Sequence, residues 1–165
     1  MIIIGIDPGT CVTGYGIIRT EGMSYSPIDY GCIKPPSALK LTDRYLIIFN
    51  GVEELLNKFE PDALVVETQY VKKNPQSALK LGMARGVIIV AARRKGVQVY
   101  EYVPTKAKLA IAGSGRASKH QVQRMVQRLL NLPEPPCPED AADALALAIC
   151  HAQALKQRQL LGTEI

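Results

Sequence analysis

Short apolar runs broken by turn residues occupy the first part of the chain, and they predict three strands. The runs cover residues 2–7, residues 13–19 and Ser26–Lys34. Pro and Gly stand between the first two runs, which predicts a turn and therefore an antiparallel hairpin. Gly14 and Gly16 lie within the second predicted strand, where glycine indicates the close approach of another backbone or of a ligand.

Beyond the hairpins, the hydrophobic spacing alternates between the period of a helix and that of a strand. It predicts helices over Leu39–Phe59, 76–94 and Thr105–Ala112, a helix capped by Ser118, a helix from near Pro138, and strands over 63–67 and Val97–Tyr102. Helix 76–94 is apolar over much of its circumference, so we expect it to be core or an oligomer contact. Meandering strands followed by alternating helices and strands indicate an α/β sheet with some antiparallel pairing, in which strands 1 and 4 can lie side by side and parallel.

Two of the predicted strands end on an acid, and the last predicted helix opens on two more. Asp7 closes the first strand, Glu67 closes a Leu-Val-Val run, and Asp140 and Asp143 are spaced to share one face of a helix. The carboxyl ends of neighbouring parallel strands lie together, so Asp7 and Glu67 are expected to meet. Because isolated carboxylates at such places are costly without a cation, one shared cation would explain all four acids.

Oxygen-only ligands of this kind suit magnesium or manganese. Two such ions held roughly 4 Å apart can activate a water and stabilise the leaving oxygen of a phosphodiester. Simpler explanations remain open for single members of the set. Asp140 and Asp143 lie in a first helical turn, where the dipole favours negative charge, and Asp7 alone suits a turn before Pro-Gly. Glu67 is harder to explain without a partner.

Composition limits the class of protein. The 165 residues, 47% hydrophobic and 21% charged, predict one globular domain over 1–165 with a substantial core. The four cysteines show no CxxC spacing, which argues against a structural zinc site. No signal-peptide pattern and no apolar run of roughly 20 residues is present, so we expect a reduced, cytoplasmic protein without a membrane segment. The net charge of +5 fits an anionic partner or an inert basic surface equally well.

If the acids act on nucleic acid, basic residues near them should carry it. The candidates are Lys72, Lys73, Lys80, Arg85, Lys108, Arg116 and Lys119. Tyr70 is an aromatic residue among polar neighbours, so it is placed either to stack on an unpaired base or to pack on the sheet edge. The segment Lys106–Lys119 contains Gly113 and Gly115 between basic residues and could wrap a phosphate backbone, although glycine-rich loops are common.

Five segments together resemble the RuvC family of Holliday junction resolvases. They are Gly5–Thr10 with Thr13–Gly16, Glu67, Ser77–Val87, Gly113–Val122 and Asp140–Ala146. The likeness covers nearly the whole chain, in order and at matching spacing. The first segment alone is not specific, since actin-like and Hsp70-like ATPases begin similarly.

The resemblance implies a ribonuclease-H-like fold, with a mixed five-stranded sheet flanked by helices, and a homodimer formed through the helix from residue 76. It implies magnesium-dependent nicking of two opposed strands at a four-way DNA junction in recombination and repair, leaving 5′-phosphate and 3′-hydroxyl ends. Two ions per active site, replaceable by manganese, belong to the same expectation. So does a partnership with the RuvA–RuvB branch-migration complex.

Residue by residue, the resemblance assigns catalytic roles to several of these side chains. The metal-binding acids fall on Asp7, Glu67, Asp140 and Asp143, and the active-site lysines on Lys108 and Lys119. The aromatic residue near the junction centre falls on Tyr70. The loop Thr68–Tyr70 departs from the family pattern, which typically ends in Phe, and this affects sequence preference more than metal chemistry.

Two other classes of function fit the sequence less well. A junction-binding dimer that does not cut DNA is disfavoured because all four acids are present, and an Asp7→Asn variant would separate the two possibilities. An actin-like ATPase needs two such lobes and a phosphate-binding site, whereas this chain has 165 residues and no GxxxxGK[ST] loop.

Overall fold

The computed structural model describes residues 1–22, 24–68, 74–157 and 163–164. The strands are β1 (Ile2–Asp7), β2 (Thr13–Glu21), β3 (Ser24–Ile33), β4 (Ala63–Glu67), β5 (Gln98–Tyr102) and β6 (Thr163–Glu164). The helices are α1 (Leu41–Phe59), α2 (Pro75–Arg94), α3 (Pro104–Ala112), α4 (Lys119–Leu129) and α5 (Glu139–Gln157). Each predicted element is present, and its ends differ from the prediction by at most two residues.

The strands form one mixed sheet in the order β3-β2-β1-β4-β5-β6. The predicted hairpin is confirmed, because β1 pairs with β2 and β2 with β3 in antiparallel fashion. The parallel pairing of β1 with β4 is also confirmed, and β4 pairs in parallel with β5. The five-stranded mixed sheet predicted from the family resemblance is therefore present, and the two-residue β6 extends its edge beside β5.

Side chains alternate between the two faces of this sheet, as the period of a strand requires. Ile4 and Ile6 of β1 lie in a core shared with α1 and α2. Ile3 of β1 and Val65 of β4 lie in a second core with α3, α4 and α5. The same alternation directs Asp7 and Glu67 toward the α5 face, because each stands an even number of residues from these positions.

Helix α5 approaches the sheet more closely than side chains would allow. A Cβ added at Gly5 would lie 2.0 Å from the carbonyl oxygen of Ala144, and one at Gly14 would lie 2.1 Å from that of Asp140. At Gly16 the added atom would lie 2.6 Å from Leu145. The close approach predicted for Gly14 and Gly16 is confirmed, and its partner is the backbone or side chain of α5.

Local capping explains where two of the helices begin. Ser118 accepts a hydrogen bond from the backbone N–H of Gln121, whose side chain accepts one from the Ser118 N–H, so α4 starts with a capping box. The side chain of Asn74 caps α2 in a similar way. Among the described helices, none combines the length and the apolar character that crossing a bilayer requires.

Candidate active site

The acids at the two strand ends lie at the same edge of the sheet. Ile6 and Val66 are register partners in the parallel β1–β4 pair, so Asp7 and Glu67 follow side by side. Both line a cavity of about 320 Å³, and Asp143 of α5 lines the same cavity. Its lining also includes the apolar side chains of Val122 and Ala146, so the acids share the space with apolar groups. The convergence predicted for Asp7, Glu67 and Asp143 is present in the structure.

The electrostatics of Asp7 reflect this crowding. The pKa of the Asp7 carboxyl is raised to about 8, first by burial and then by the negative charges of Glu67, Asp143 and Asp140, in that order, against a smaller opposing effect of Lys119. Burial also raises the pKa of Asp143, although Lys119 opposes the shift. These carboxylates are therefore costly to ionise together, which is the state that a bound divalent cation would stabilise.

The donor set fits a hard cation, since every acid offers only carboxylate oxygens. Within residues 1–22, 24–68, 74–157 and 163–164, no three acidic, His or Cys side chains are already gathered tightly enough to hold one ion.

Asp140 and Asp143 occupy different positions, although both lie in the first turns of α5. Asp143 is among the residues that line the cavity, and Asp140 is not. Asp140 lies where the backbone of α5 meets Gly14 of β2, and its charge still acts on Asp7 and Asp143. The structure thus places Asp143 in the lining of the cavity and Asp140 outside that lining, a distinction that the DxxD spacing does not contain.

Both predicted active-site lysines line the cavity. The Nζ of Lys119 lies 3.6 Å from Asp143 Oδ2 and 3.6 Å from Glu139 Oε2. The charge of Asp143 raises the pKa of Lys119, with Glu139 adding to the effect, so this ammonium remains protonated. Lys108 projects from α3 on another side of the cavity. Glu139 was not singled out from the sequence, where it looks like one more acid at a helix start.

The turn that carries Asp7 is held by contacts that sequence patterns do not reveal. The Thr13 hydroxyl donates to the Gly9 carbonyl at 2.8 Å and accepts from the Gly9 N–H at 3.3 Å. Arg44 of α1 reaches across the chain, and its Nε donates to the Thr10 carbonyl at 2.9 Å. A second guanidinium nitrogen of Arg44 also contacts the Thr10 carbonyl. Thr13 and Arg44 therefore position the catalytic edge without lining the cavity.

The other predicted DNA contacts are distributed unevenly. Lys80 and Arg116 are exposed, whereas Arg85 forms a half-buried ion pair with Glu101. The guanidinium of Arg85 is therefore already engaged with a carboxylate, and a DNA contact for it stays a prediction. The predictions for Tyr70, Lys72 and Lys73 fall outside the described residues.

Comparisons with known proteins agree on one family. The family model described as "Crossover junction endodeoxyribonuclease RuvC" matches residues 3–151. A protein of that name from Protochlamydia amoebophila is 67% identical over 161 residues, covering 96% of each chain. Another from Ruminiclostridium cellulolyticum is 46% identical over 164 residues, covering 99% of each.

A solved structure supports the same assignment over the full length. Thermus thermophilus RuvC in complex with a Holliday junction substrate superimposes with a TM-score of 0.93 at 35% sequence identity, covering 100% of this chain and 99% of that one. The family model, the relatives and this structure each span nearly the whole sequence. The chain therefore belongs to the RuvC family of crossover junction endodeoxyribonucleases.

Proposed function

We propose that this protein resolves four-way DNA junctions by nicking two opposed strands, leaving 5′-phosphate and 3′-hydroxyl ends, in recombination and repair. One observation carries the proposal: a cavity lined by Asp7, Glu67 and Asp143, with Lys108 and Lys119 beside them, in a chain of the RuvC family. Its Thermus thermophilus relative was solved with a Holliday junction substrate. We infer that residues 1–165 act as a single nuclease domain.

Nucleases of this family depend on a metal, and we propose Mg²⁺, with Mn²⁺ as a substitute and two ions per site. Asp7, Glu67 and Asp143 would hold them in the cavity, and Asp140 would bind or orient from outside its lining. Bound ions would supply an activated water and charge stabilisation at the leaving oxygen. The raised pKa of Asp7 supports a cation there, because ionising this carboxyl beside three other acids otherwise costs free energy.

The lysines would act on the DNA and on the acids. Lys119 is held by Asp143 and Glu139, so its ammonium stands at the cavity with its direction constrained. Lys108 faces the same space from α3 without an ion pair to any described residue. We assign Lys108 to contact with the scissile phosphate region and Lys119 to stabilising charge that develops there.

We also propose that the protein works as a homodimer that pairs through α2. Leu79, Met83 and Val90 project from one stripe of this helix and are 68%, 49% and 54% exposed, respectively. Gly86, with no atom of the chain within 4 Å of an added Cβ, lies on the same stripe. A two-fold dimer would present one active site to each of two opposed strands.

The remaining assignments follow from the proposed substrate. Tyr70, Lys72, Lys73, Lys80, Arg85 and Arg116 are proposed DNA contacts. A RuvA–RuvB branch-migration complex is the proposed protein partner, and the cytoplasm, where bacterial DNA lies, is the proposed location.

The test is cleavage of a synthetic four-way junction with and without magnesium, with linear duplex as the comparison substrate. Asp7→Asn removes one charge with almost no change of shape, and we expect junction binding to survive while nicking falls on the order of 10³-fold. Asp29→Asn is the matched control, since Asp29 lies in β3 and lines a different groove.

Three results would contradict the proposal in different ways. Unchanged nicking by Asp7→Asn would refute the assigned site. Equal cutting of junction and duplex by the unmodified protein would leave a nuclease but remove junction selectivity. Binding without any magnesium-dependent nicking would favour a junction-binding dimer that does not cut.

A further inference from the structure

A second cavity, separate from the acids, lies between the α3–α4 loop and the outer side of α4. Its volume is about 570 Å³, and its lining includes three arginines, Arg116 from the loop and Arg124 and Arg128 from α4. The other lining side chains are small, polar or aliphatic, with no acid and no aromatic ring among them. The space is therefore a basic groove, which we call the α4 groove.

The three arginines are exposed and chemically unengaged. None of them takes part in an ion pair within the described ranges. Arg128 lies in the last turn of α4, where the helix dipole favours a positive charge. That explanation does not extend to Arg124 in mid-helix or to Arg116 before the helix starts. Three unpaired guanidinium groups around one concave space indicate an anionic ligand with more than one phosphate or carboxylate group.

Helix α4 borders both cavities: Arg124 and Arg128 line the α4 groove, and Lys119 lines the catalytic cavity. Lys119, which lies beside Asp143 in the catalytic cavity, is the first residue of α4. Arg116 stands three residues before it, in a turn where its N–H donates to Ser114 Oγ at 3.2 Å. From Lys119, the helix carries the basic side chains away from the acids, so Arg128 lies roughly 13 Å farther along its axis.

The spacing on the helix suits a phosphate backbone. Arg124 and Arg128 are four residues apart, so they share a face and stand about 6 Å apart along the axis. Phosphates of one DNA strand are spaced roughly 3.4 Å along the duplex axis, so one helical turn spans about two of them. Without an aromatic ring in the lining, the groove offers no surface on which an unpaired base could stack.

We propose that the α4 groove binds the sugar–phosphate backbone of a duplex arm that leaves the active site, through Arg116, Arg124 and Arg128. This inference rests on the proposed function, since it supplies the arm with a path beyond the scissile phosphate. Because the contacts are to phosphates, they add affinity and fix the direction of the arm without reading its sequence.

The test measures how junction binding depends on salt, in EDTA so that no strand is cut. Each lost phosphate contact lowers the slope of log K against log salt by about 0.9, so Arg124→Gln with Arg128→Gln should lower it by about 1.8. Affinity near 0.1 M salt should fall roughly tenfold or more. Arg124→Lys with Arg128→Lys keeps both charges and should retain most of the slope.

The matched control removes the same charge elsewhere. Arg19 and Lys95 are exposed at the end of the sheet opposite the acids, and Arg19→Gln with Lys95→Gln should leave the slope unchanged. Circular dichroism should show that the variants are folded, since glutamine is a good helix former. If the variant with glutamine at positions 124 and 128 keeps the salt slope of the unmodified protein, the proposal is wrong. An acidic protein surface would then be the ligand that the groove fits.

The result of the salt-slope test can be distinguished from the result of the test of the proposed function. Linear duplex also offers a phosphate backbone, so the slope should fall for duplex as well as for the junction. If the unmodified protein shows no junction selectivity, the resolvase proposal fails while the groove is still judged by its slope. If selectivity holds and the slope does not change, the groove alone is rejected.

Discussion

The two faces of the sheet are covered in different ways. On one face, α1 and α2 pack through large aliphatic side chains such as Ile48 and Ile88. On the other, α5 lies so close to β1 and β2 that Gly5 and Gly14 face its backbone directly. The acids proposed to bind metal all lie on the second face or at its edge.

The two kinds of packing differ in how well they tolerate change and in how firmly they position the acids. Interdigitated side chains tolerate small changes in volume, because neighbouring rotamers can adjust. A backbone that touches a backbone cannot adjust in this way, so the position of α5, and with it of Asp140 and Asp143, is set by the absence of side chains at Gly5 and Gly14. The face covered by α5, where backbone lies against backbone, is therefore the face that positions the carboxylates beside the strand ends.

The largest effect is expected from Gly14→Ala. Its Cβ would lie 2.1 Å from the carbonyl oxygen of Asp140, so either β2 or the start of α5 must move. We expect a loss of about 3 kcal/mol or more in the free energy of unfolding, measured by urea denaturation. Nicking should fall more than junction binding does, because the displaced segment carries Asp140.

Gly82→Ala is the control on the other side of the comparison. Gly82 lies in α2 with no atom of the described chain within 4 Å of an added Cβ. Alanine there should raise helix stability by about 0.5–1 kcal/mol. A Gly14→Ala variant as stable as Gly82→Ala would show that α5 can shift freely, and the proposed contrast between the faces would be wrong.

The second largest effect concerns a buried histidine between α5 and β5. His151 is fully buried, and its Nδ1 lies 2.9 Å from the hydroxyl oxygen of Tyr102. Burial lowers the pKa of His151 to about 4 from a usual value of 6.5. The unfolded chain therefore binds this proton at a higher pH than the folded protein does.

The free energy of unfolding should therefore fall as the solution becomes acidic. The contribution of His151 to stability is fully present above pH 6.5 and is lost as the pH falls toward 4, a change of about 3 kcal/mol. Urea denaturation at pH 7 and pH 4.5 measures it. His151→Phe should remove this part of the slope, and substitution of the exposed His120 with Gln should leave it intact. Equal slopes for the two variants would contradict the prediction.

A smaller effect is expected on the α1–α2 face. Tyr45 of α1 is buried, and its hydroxyl donates a hydrogen bond to the Lys80 carbonyl of α2 at 2.9 Å. Tyr45→Phe keeps the ring and removes the donor, so we expect a loss of about 1 kcal/mol in unfolding free energy with nicking unchanged. Reduced nicking at saturating magnesium would mean that this face also positions the acids.

The smallest effect on the stability of one subunit is expected at the exposed stripe of α2. Leu79→Glu places a charge where the side chain is 68% exposed, so the unfolding of a single subunit should change by no more than about 0.5 kcal/mol. Sedimentation should nevertheless show that the proposed dimer dissociates. Leu46→Glu, at a 58% exposed position in α1, is the matched control and should leave the mass unchanged. Equal behaviour of the two variants would remove α2 as the dimer contact.

Much of the fold could be predicted because its signals are local. The period-2 runs of β1 and β4 and the helical spacing of α1 each depend on residues close in sequence. A carboxylate at the end of an apolar strand is energetically costly, so Asp7 and Glu67 could be identified as candidate site residues from the sequence alone. The glycines of β2 also predicted that another backbone or a ligand lies close to this strand, but the sequence did not identify α5 as that neighbour.

The sequence by itself therefore determined the elements, their pairing and the acids that converge. Only the tertiary structure separated Asp143, which lines the cavity, from Asp140, which does not, and only it showed Arg44 holding the turn after Asp7. It alone gathered Arg116, Arg124 and Arg128 around one groove. The reason is physical: burial, charge coupling and concave shape depend on distances between segments far apart in the chain, and these distances are fixed by packing.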